Sequence, residues 1–408
     1  MNRRILPGMQ AGMSLVELMV ASVIALLGVI VIFQVYATNE GVRRSTTSGS
    51  DEQISGLIAL SLLERELKTA GYGINDNDVL GCAMRVYDNQ RTPNIQSVYP
   101  LAPVFILPNA GTTPDLIRVI YGQPTLTVAS VQLQDMSTTT DTFTLPFRVG
   151  FNVGDLVLVG QAGQYCTLAE VTALVGPSDL AHGVGSITVG TATRTVRFND
   201  PAGTPFVYKF PQGKILNLGA LPATGVWPVY NEFSVMNNSI VPGTNNKLNV
   251  ANLWAQIATM NPIADQIVQM KAEYGVDDGI ANGTVPTRVN APDDNIIDKF
   301  TNVSPTVLSP NPPANMQQWQ RIKAVRLAVV SRSANTIDPT TGKGTACDAT
   351  PAFDPDPLAN VYPARWARGP DAPNGKPIDV RTSADWQCYK YRVYETTVPL
   401  RNVLWRQP

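Results

Sequence analysis

The side chains able to do chemistry in this chain are few, and their spacing argues against most reactions. Cys82, Cys166, Cys347 and Cys388 are its only cysteines and stand far apart. Zinc sites use close cysteine or histidine pairs, whereas an even number of distant thiols suits two disulfides in an oxidising compartment. Three pairings are open, and Cys82–Cys166 with Cys347–Cys388 closes the shorter loops. His182 is the single histidine and stands in a glycine-rich turn, so neither a His-based metal centre nor a catalytic triad can form around it. Gly183, Gly185 and Gly190 are followed by no helical pattern and make no dinucleotide fingerprint. Acidic residues gather at Asn75-Asp76-Asn77-Asp78, Asp277-Asp278-Gly279, Asp293-Asp294 and Asp354-Pro355-Asp356-Pro357. Clustered oxygens suit calcium, yet no glutamate follows Asn75–Asp78 at loop spacing, and Asn and Asp favour turns for backbone reasons alone. With no Walker A sequence, CxxC or HExxH, the expectation is a protein without catalysis or cofactor, calcium being the weak alternative.

The remaining reactive group is an acid in an apolar place. Glu17 borders residues 18–38, which carry no charge and are long enough to cross a hydrocarbon core of roughly 30 Å as a helix. A carboxylate well inside a bilayer costs about 2.5–3.5 kcal/mol on insertion scales, so Glu17 demands a partner. Arg3 and Arg4 precede it and set the basic end on the cytoplasmic side. A cleaved secretory signal would have a shorter apolar stretch with small residues after it; here Gly12 comes before. A plain signal anchor explains the arginines and the span but leaves Glu17 without a reason. A buried helix of a soluble protein fits so long an uncharged run poorly.

Gly12-Met13-Ser14-Leu15-Val16-Glu17 resembles the processing site of type IV prepilins and pseudopilins. The resemblance implies that a prepilin peptidase cuts after Gly12 and methylates the new N-terminus at Met13. It also implies that Glu17 meets the amine of a neighbouring subunit's Met13 when membrane helices pack into a filament. Met13 departs from the commoner phenylalanine, a change bearing on methylation more than on cleavage. In such surroundings the ion pair acts chiefly because an unpaired charge is worse, which makes the acid a registry device.

Further segments resemble the minor pilin family PilW. They are the run 62–73 (LLERELKTAGYG), Pro114-Asp115-Leu116-Ile117-Arg118-Val119 and Gly154-Asp155-Leu156-Val157-Leu158-Val159. Tyr274-Gly275-Val276-Asp277, Val325-Arg326-Leu327 and Thr397-Val398-Pro399-Leu400-Arg401-Asn402 resemble it too, and more distantly the J-type pseudopilin of type II secretion. The resemblance implies an α+β, type IV pilin-like fold: a long N-terminal helix, membrane-spanning in its first half, packed on an enlarged antiparallel β-rich head. It implies a single-pass protein of a bacterial inner membrane with a periplasmic head, extracellular once assembled. Its expected partners are other minor pilins and the major pilin, the prepilin peptidase, the inner-membrane assembly platform and a large tip adhesin. A secretion pseudopilin and a membrane-anchored adhesin are the alternative functions.

The elements that must position these residues follow from pattern. The expected divisions are a leader at 1–12, the span at 13–39, an amphipathic continuation at 40–73 and the head at 74–408. In the continuation, Leu57, Leu60, Leu63, Leu67 and Ala70 fall on one helical side. Glu64 and Lys68 are ordered for an i,i+4 pair, Gly71 and Gly73 offer a stop, and the polar link 41–50 reads as an interruption. Short β-branched runs at 116–121, 142–145, 156–159, 187–189, 195–198 and 206–210 read as strands. So do 267–274, which alternates as if half-buried, 322–331, apolar enough to be central, and 389–398. The stretch 250–260 reads as a short helix or a loop insertion, and the Pro- and Asp-rich stretches 291–313 and 335–376 as loops. Trp319, Trp366, Trp386, Trp405, Tyr389 and Tyr391 suit core and loop-anchoring positions better than a sugar-binding face. Lys and Arg number 31 against 32 Asp and Glu, so no overall field recruits nucleic acid.

Overall fold

From Leu15 to Thr69 the chain is a single helix of 55 residues, about 80 Å long at 1.5 Å per residue. The expected interruption at 41–50 is absent. The link is polar but contains no proline, and its two glycines each cost only about 1 kcal/mol, too little to break a helix held on both sides. Beyond Thr69 the stop is as expected: Gly71 and Gly73 take positive φ angles of 80° and 77°, which only glycine adopts freely. The computed structural model describes residues 14–74, 76, 78–89, 95–123, 129–136, 142–199, 210–220, 228–236, 246–254, 260–277, 296–305, 318–334, 350, 364–369, 372 and 374–404.

After the helix the described chain is dominated by strands, and the strand pairs are antiparallel. With the apolar N-terminal helix this makes the protein α+β. Two sheets enclose the principal core. One runs Asn261–Asp265, Lys247–Asn252, Val229–Met236, Leu116–Tyr121, Val104–Leu107. The other runs Lys299–Thr301, Ile267–Val276, Ile322–Arg332, Tyr391–Pro399. Ala59, Leu63, Leu67 and Ala70 of the helix share that core with Phe233 and Leu248 of the first sheet and Val325, Val329 and Val398 of the second. A third sheet, ordered Val131–Gln132, Lys214–Ala220, Asp155–Gly160, Thr167–Glu170, builds a separate core with Phe143, Phe151 and Phe210.

Several expectations need correction. The buried side of the helix is rotated from the leucine stripe: Glu52, Gly56, Ala59, Leu63, Leu67 and Ala70 are buried, while Leu57 is 55 % exposed. Residues 250–252 belong to the strand Lys247–Asn252, which pairs with Val229–Met236 in a register that buries Leu248 and Ala251; tertiary pairing overrides the helical spacing there. The strand sought at 195–198 lies earlier, at Ala192–Thr195, and that sought at 206–210 falls almost wholly outside the described residues. The supposed loops contain the strands Lys299–Thr301 and Ala364–Trp366, and a further strand, Lys376–Ile378, starts at the last residue of the second; all are too short to announce themselves by alternation. Ile267–Val276 is buried on both faces, including Gln269 and Glu273, because Trp366, Ile378 and Val380 cover its outer side. Ile322–Arg332 is central, as its apolar faces indicate. Trp319 and Trp366 are core residues, and Trp405 lies outside the described residues.

Candidate assembly site: the apolar helix and its junction with the head

The helix has two halves of opposite character. Over Leu15–Glu40 it is apolar and long enough to cross a membrane, and none of it is buried by the rest of the chain. Leucine, valine and isoleucine point outward on every side of this half. A helix apolar all round requires an apolar surrounding, either lipid or other helices. Glu17 sits in its first turn, exposed, and its Oε2 accepts the Ser14 backbone N–H at 3.4 Å. That contact occupies one oxygen only weakly, so the carboxylate remains available to a partner from outside the chain. Gly12 and Met13 lie outside the described residues.

The second half is fastened to the head at three levels. At the bottom, Gly56 brings the helix against the ring of Tyr394: a β-carbon there would lie 2.5 Å from Cδ2 and closer still to Cε2. In the middle, Glu66 Oε2 accepts the Tyr121 hydroxyl at 3.1 Å and the Asn231 amide at 3.5 Å. Burial and this neighbouring carboxylate both push the Tyr121 phenol well above its ordinary range, so it stays a donor. On the exposed side Lys68 pairs with Glu64 at 2.5 Å, a contact of small energetic weight. At the top, the Asn402 side-chain amide donates to the carbonyls of Thr69 and Ala70 at 3.1 and 3.0 Å. These are carbonyls that a helix end leaves without an intrahelical partner. The Gly71 N–H donates to Ile120 O and the Gly122 N–H to Tyr72 O, which locks the exit turn to the first sheet. Asn402 was visible as part of a motif, but its capping role depends on a contact spanning most of the chain and had no local signal.

Cys82 and Cys166 form a disulfide with Cα atoms 5.9 Å apart, both sulfurs fully buried. The backbone joins them as well: Arg85 N–H donates to Cys166 O, and Cys166 N–H to Ala83 O. Cys388 is also disulfide-bonded, and Cys347 lies outside the described residues. At the first calcium candidate, Lys214 Nζ meets Asp76 Oδ2 at 3.0 Å and Asp78 Oδ2 at 2.7 Å. An ammonium thus supplies the positive charge those acids need, while Asn75 and Asn77 are outside the described residues. Asp277 is buried; Asp278, Asp293, Asp294, Asp354 and Asp356 are outside the described residues. No group of three or more His, Cys, Asp or Glu that could hold a metal ion occurs among the described residues. His182 stacks on Phe143 with ring centroids 4.0 Å apart, an anchoring contact for its turn.

No curated protein and no solved structure matches the chain. A family model described as type IV pilus-assembly protein W, PilW, matches residues 238–402. That stretch contains the strands Asn261–Asp265, Ile322–Arg332 and Tyr391–Pro399, on which the helix rests, and Asn402, which caps it. Residues 238–402 of the chain are thus similar to the PilW family of type IV pilus-assembly proteins.

Proposed function

We propose that this chain is a minor pilin, cut after Gly12 by a prepilin peptidase, methylated at Met13, and built into a type IV pilus at or near its tip. Its work is structural: with other minor pilins it primes assembly, and no step of chemistry is assigned to its head. The observation that carries the reading is the contrast along one helix, bare and apolar over Leu15–Glu40, then fastened to the head from Gly56 to Ala70. Such a helix can serve first as a membrane anchor and then as filament core without any change in the head. Glu17 fits a partner amine in that core, where a lone carboxylate would be costly.

The tip position rests on symmetry. A shaft repeats one set of contacts at every step, and a head extending from residue 74 to 408 with long inserted segments is poorly suited to such repetition. One copy at the end has neighbours below and none above. The family's description as a pilus-assembly protein supports a priming role over a purely decorative one. Immunogold labelling of sheared pili with antibody to the head tests the position, and piliation after gene deletion tests the priming. Label confined to filament ends and loss of pili are expected. Even labelling along the shaft would overturn the tip position, and normal piliation would overturn the priming role.

A further inference from the structure

The first described side chain of the helix to be buried by the head is a carboxylic acid. Before it the described helix side chains are exposed or half-buried, whereas Glu52 is 3 % exposed. It sits one turn before Gly56, whose closeness to Tyr394 presses this part of the helix onto the edge strand Tyr391–Pro399. Glu52 Oε1 is shut off from solvent and lacks a hydrogen-bond partner among the described residues, and the Tyr394 hydroxyl and Ser331 Oγ are shut off with it. A seam that shuts in an unmatched carboxylate oxygen is costly when the group is charged and much less so when that charge is neutralised.

The surroundings identify what acts on this acid. From the edge strand and the residue before it, Arg392 and Lys390 attract the carboxylate, and the Tyr394 phenol feels its charge. From the neighbouring strand Ile322–Arg332 comes the uncharged Ser331, while Arg332 is turned to Gln266 and the Tyr389 ring. From Asn261–Asp265 the nearest acid, Asp265, is held by Lys247 at 2.8 Å. On the helix itself Asp51 is exposed. Glu52 therefore has cations nearby but no hydrogen-bonded mate among the described residues.

We propose that Glu52 is a proton-operated latch where the membrane helix first meets the head: protonated, it stays seated in the seam, and ionised, it loosens the helix turn around it. Burial raises its carboxyl to about 7, against the pull of Arg392 and Lys390. A carboxyl raised on docking favours the docked form at low pH, and that advantage is lost as pH rises through about 7. The latch would thus respond near neutral pH, at the point where the bare part of the helix gives way to the part packed on the head.

Hydrogen exchange of the full chain in lipid nanodiscs, expressed as protection factors for residues 52–59, tests this. Between about pH 5 and about pH 8.5, protection should fall at least roughly tenfold, the equivalent of one pKa unit. Glu52→Gln should remove that dependence. Arg392→Gln should move the midpoint to higher pH, since a cation that opposes the rise is gone; a merely structural arginine would lower protection without moving the midpoint. A flat wild-type profile, an unchanged profile in Glu52→Gln, or an unmoved midpoint in Arg392→Gln would overturn the latch.

Discussion

Gly56 and Tyr394 touch across the helix–sheet seam so closely that any side chain at 56 would occupy the space of the tyrosine ring. Glycine inside a helix is ordinarily a cost of about 1 kcal/mol relative to alanine. Here the missing side chain lets the helix descend onto the edge strand. Gly56→Ala should therefore destabilise the head, by about 1–3 kcal/mol, despite its better helix propensity. Gly49, also helical, has nothing within 4 Å of where its β-carbon would go, so Gly49→Ala should be neutral or stabilising. Urea unfolding of both variants gives the comparison, and adding Tyr394→Ala to Gly56→Ala should recover part of the loss. Equal effects at 49 and 56 would show that the contact has no weight.

Asn402 reaches from the end of the chain to two carbonyls at the end of the long helix. Two neutral hydrogen bonds contribute about 0.5–1.5 kcal/mol each, so Asn402→Ala should cost about 1–3 kcal/mol. Asn402→Asp is the sharper variant, because a carboxylate offers no donor at neutral pH and repels the negative end of the helix dipole. Thermal melts should rank the wild type above Ala and Ala at or above Asp. An aspartate as stable as asparagine would exclude the cap.

Much of this arrangement could be read beforehand, and the part that could not has physical reasons. Strands 116–121, 156–159 and 322–331 declared themselves because β-branched residues cluster between turn formers, and each is a strand. The bare half of the helix was equally plain. The helix face on the head is legible in part: Leu63, Leu67 and Ala70 are buried as their spacing indicates and Leu60 packs against the core, but small residues extend the face where leucine spacing does not. Gly56 and Ala59 form the contact side because they are small, and Leu57 is left outside. Glu52 gave no sign, since an isolated glutamate on a helix is normally solvated; only its spacing to Gly56, Ala59 and Leu63 marks it. Residues 250–252 were ambiguous locally and were settled by pairing with a distant strand.

Asp88 and Arg197 form a buried ion pair inside the head, bidentate at 2.7 and 2.6 Å, with Arg197 also donating to Trp254 O. Both side chains are almost fully shielded. Arg197→Met should cost about 3–5 kcal/mol, since it leaves a carboxylate without its main compensating charge. The double variant Asp88→Leu with Arg197→Met should lose less than the sum of the two single losses, the mark of coupled residues. Chemical denaturation of the three variants measures this, and strict additivity would remove the pair from the account of stability.

Glu17 provides a prediction at the other end of the molecule. The carboxylate is exposed and, among the described residues, held by the long contact to Ser14 alone, so its loss should leave the head and the rest of the helix as they are. Glu17→Val should enter the membrane at least as readily, because a charge costing about 2.5–3.5 kcal/mol at depth is gone, and N-terminal processing should be unaffected. On the registry role proposed for Glu17, incorporation into sheared pili should fall. Quantitative blotting of sheared and membrane fractions separates the steps. Normal incorporation of the variant would rule out the registry role of Glu17.

The disulfide between Cys82 and Cys166 closes a stretch separated by 84 residues. Closing so long a loop restricts the unfolded chain strongly, and native disulfides of this kind typically contribute about 2–4 kcal/mol. Cys82→Ala with Cys166→Ala should lower stability by that amount. Burial adds a second consequence. Both sulfurs are shut off from solvent, between Val79 and the close approach of Gly160, where a β-carbon would stand 3.0 Å from Cys166 Cβ. A reductant can attack only a sulfur it can reach, so the bond should resist reduction until the head unfolds. Mass spectrometric counting of alkylated thiols, with dithiothreitol and increasing urea, should show Cys82 and Cys166 becoming reactive together with the unfolding transition. Reactivity well before that transition would mean that this part of the head opens locally, and the bond would then have to be assigned to a weaker subregion.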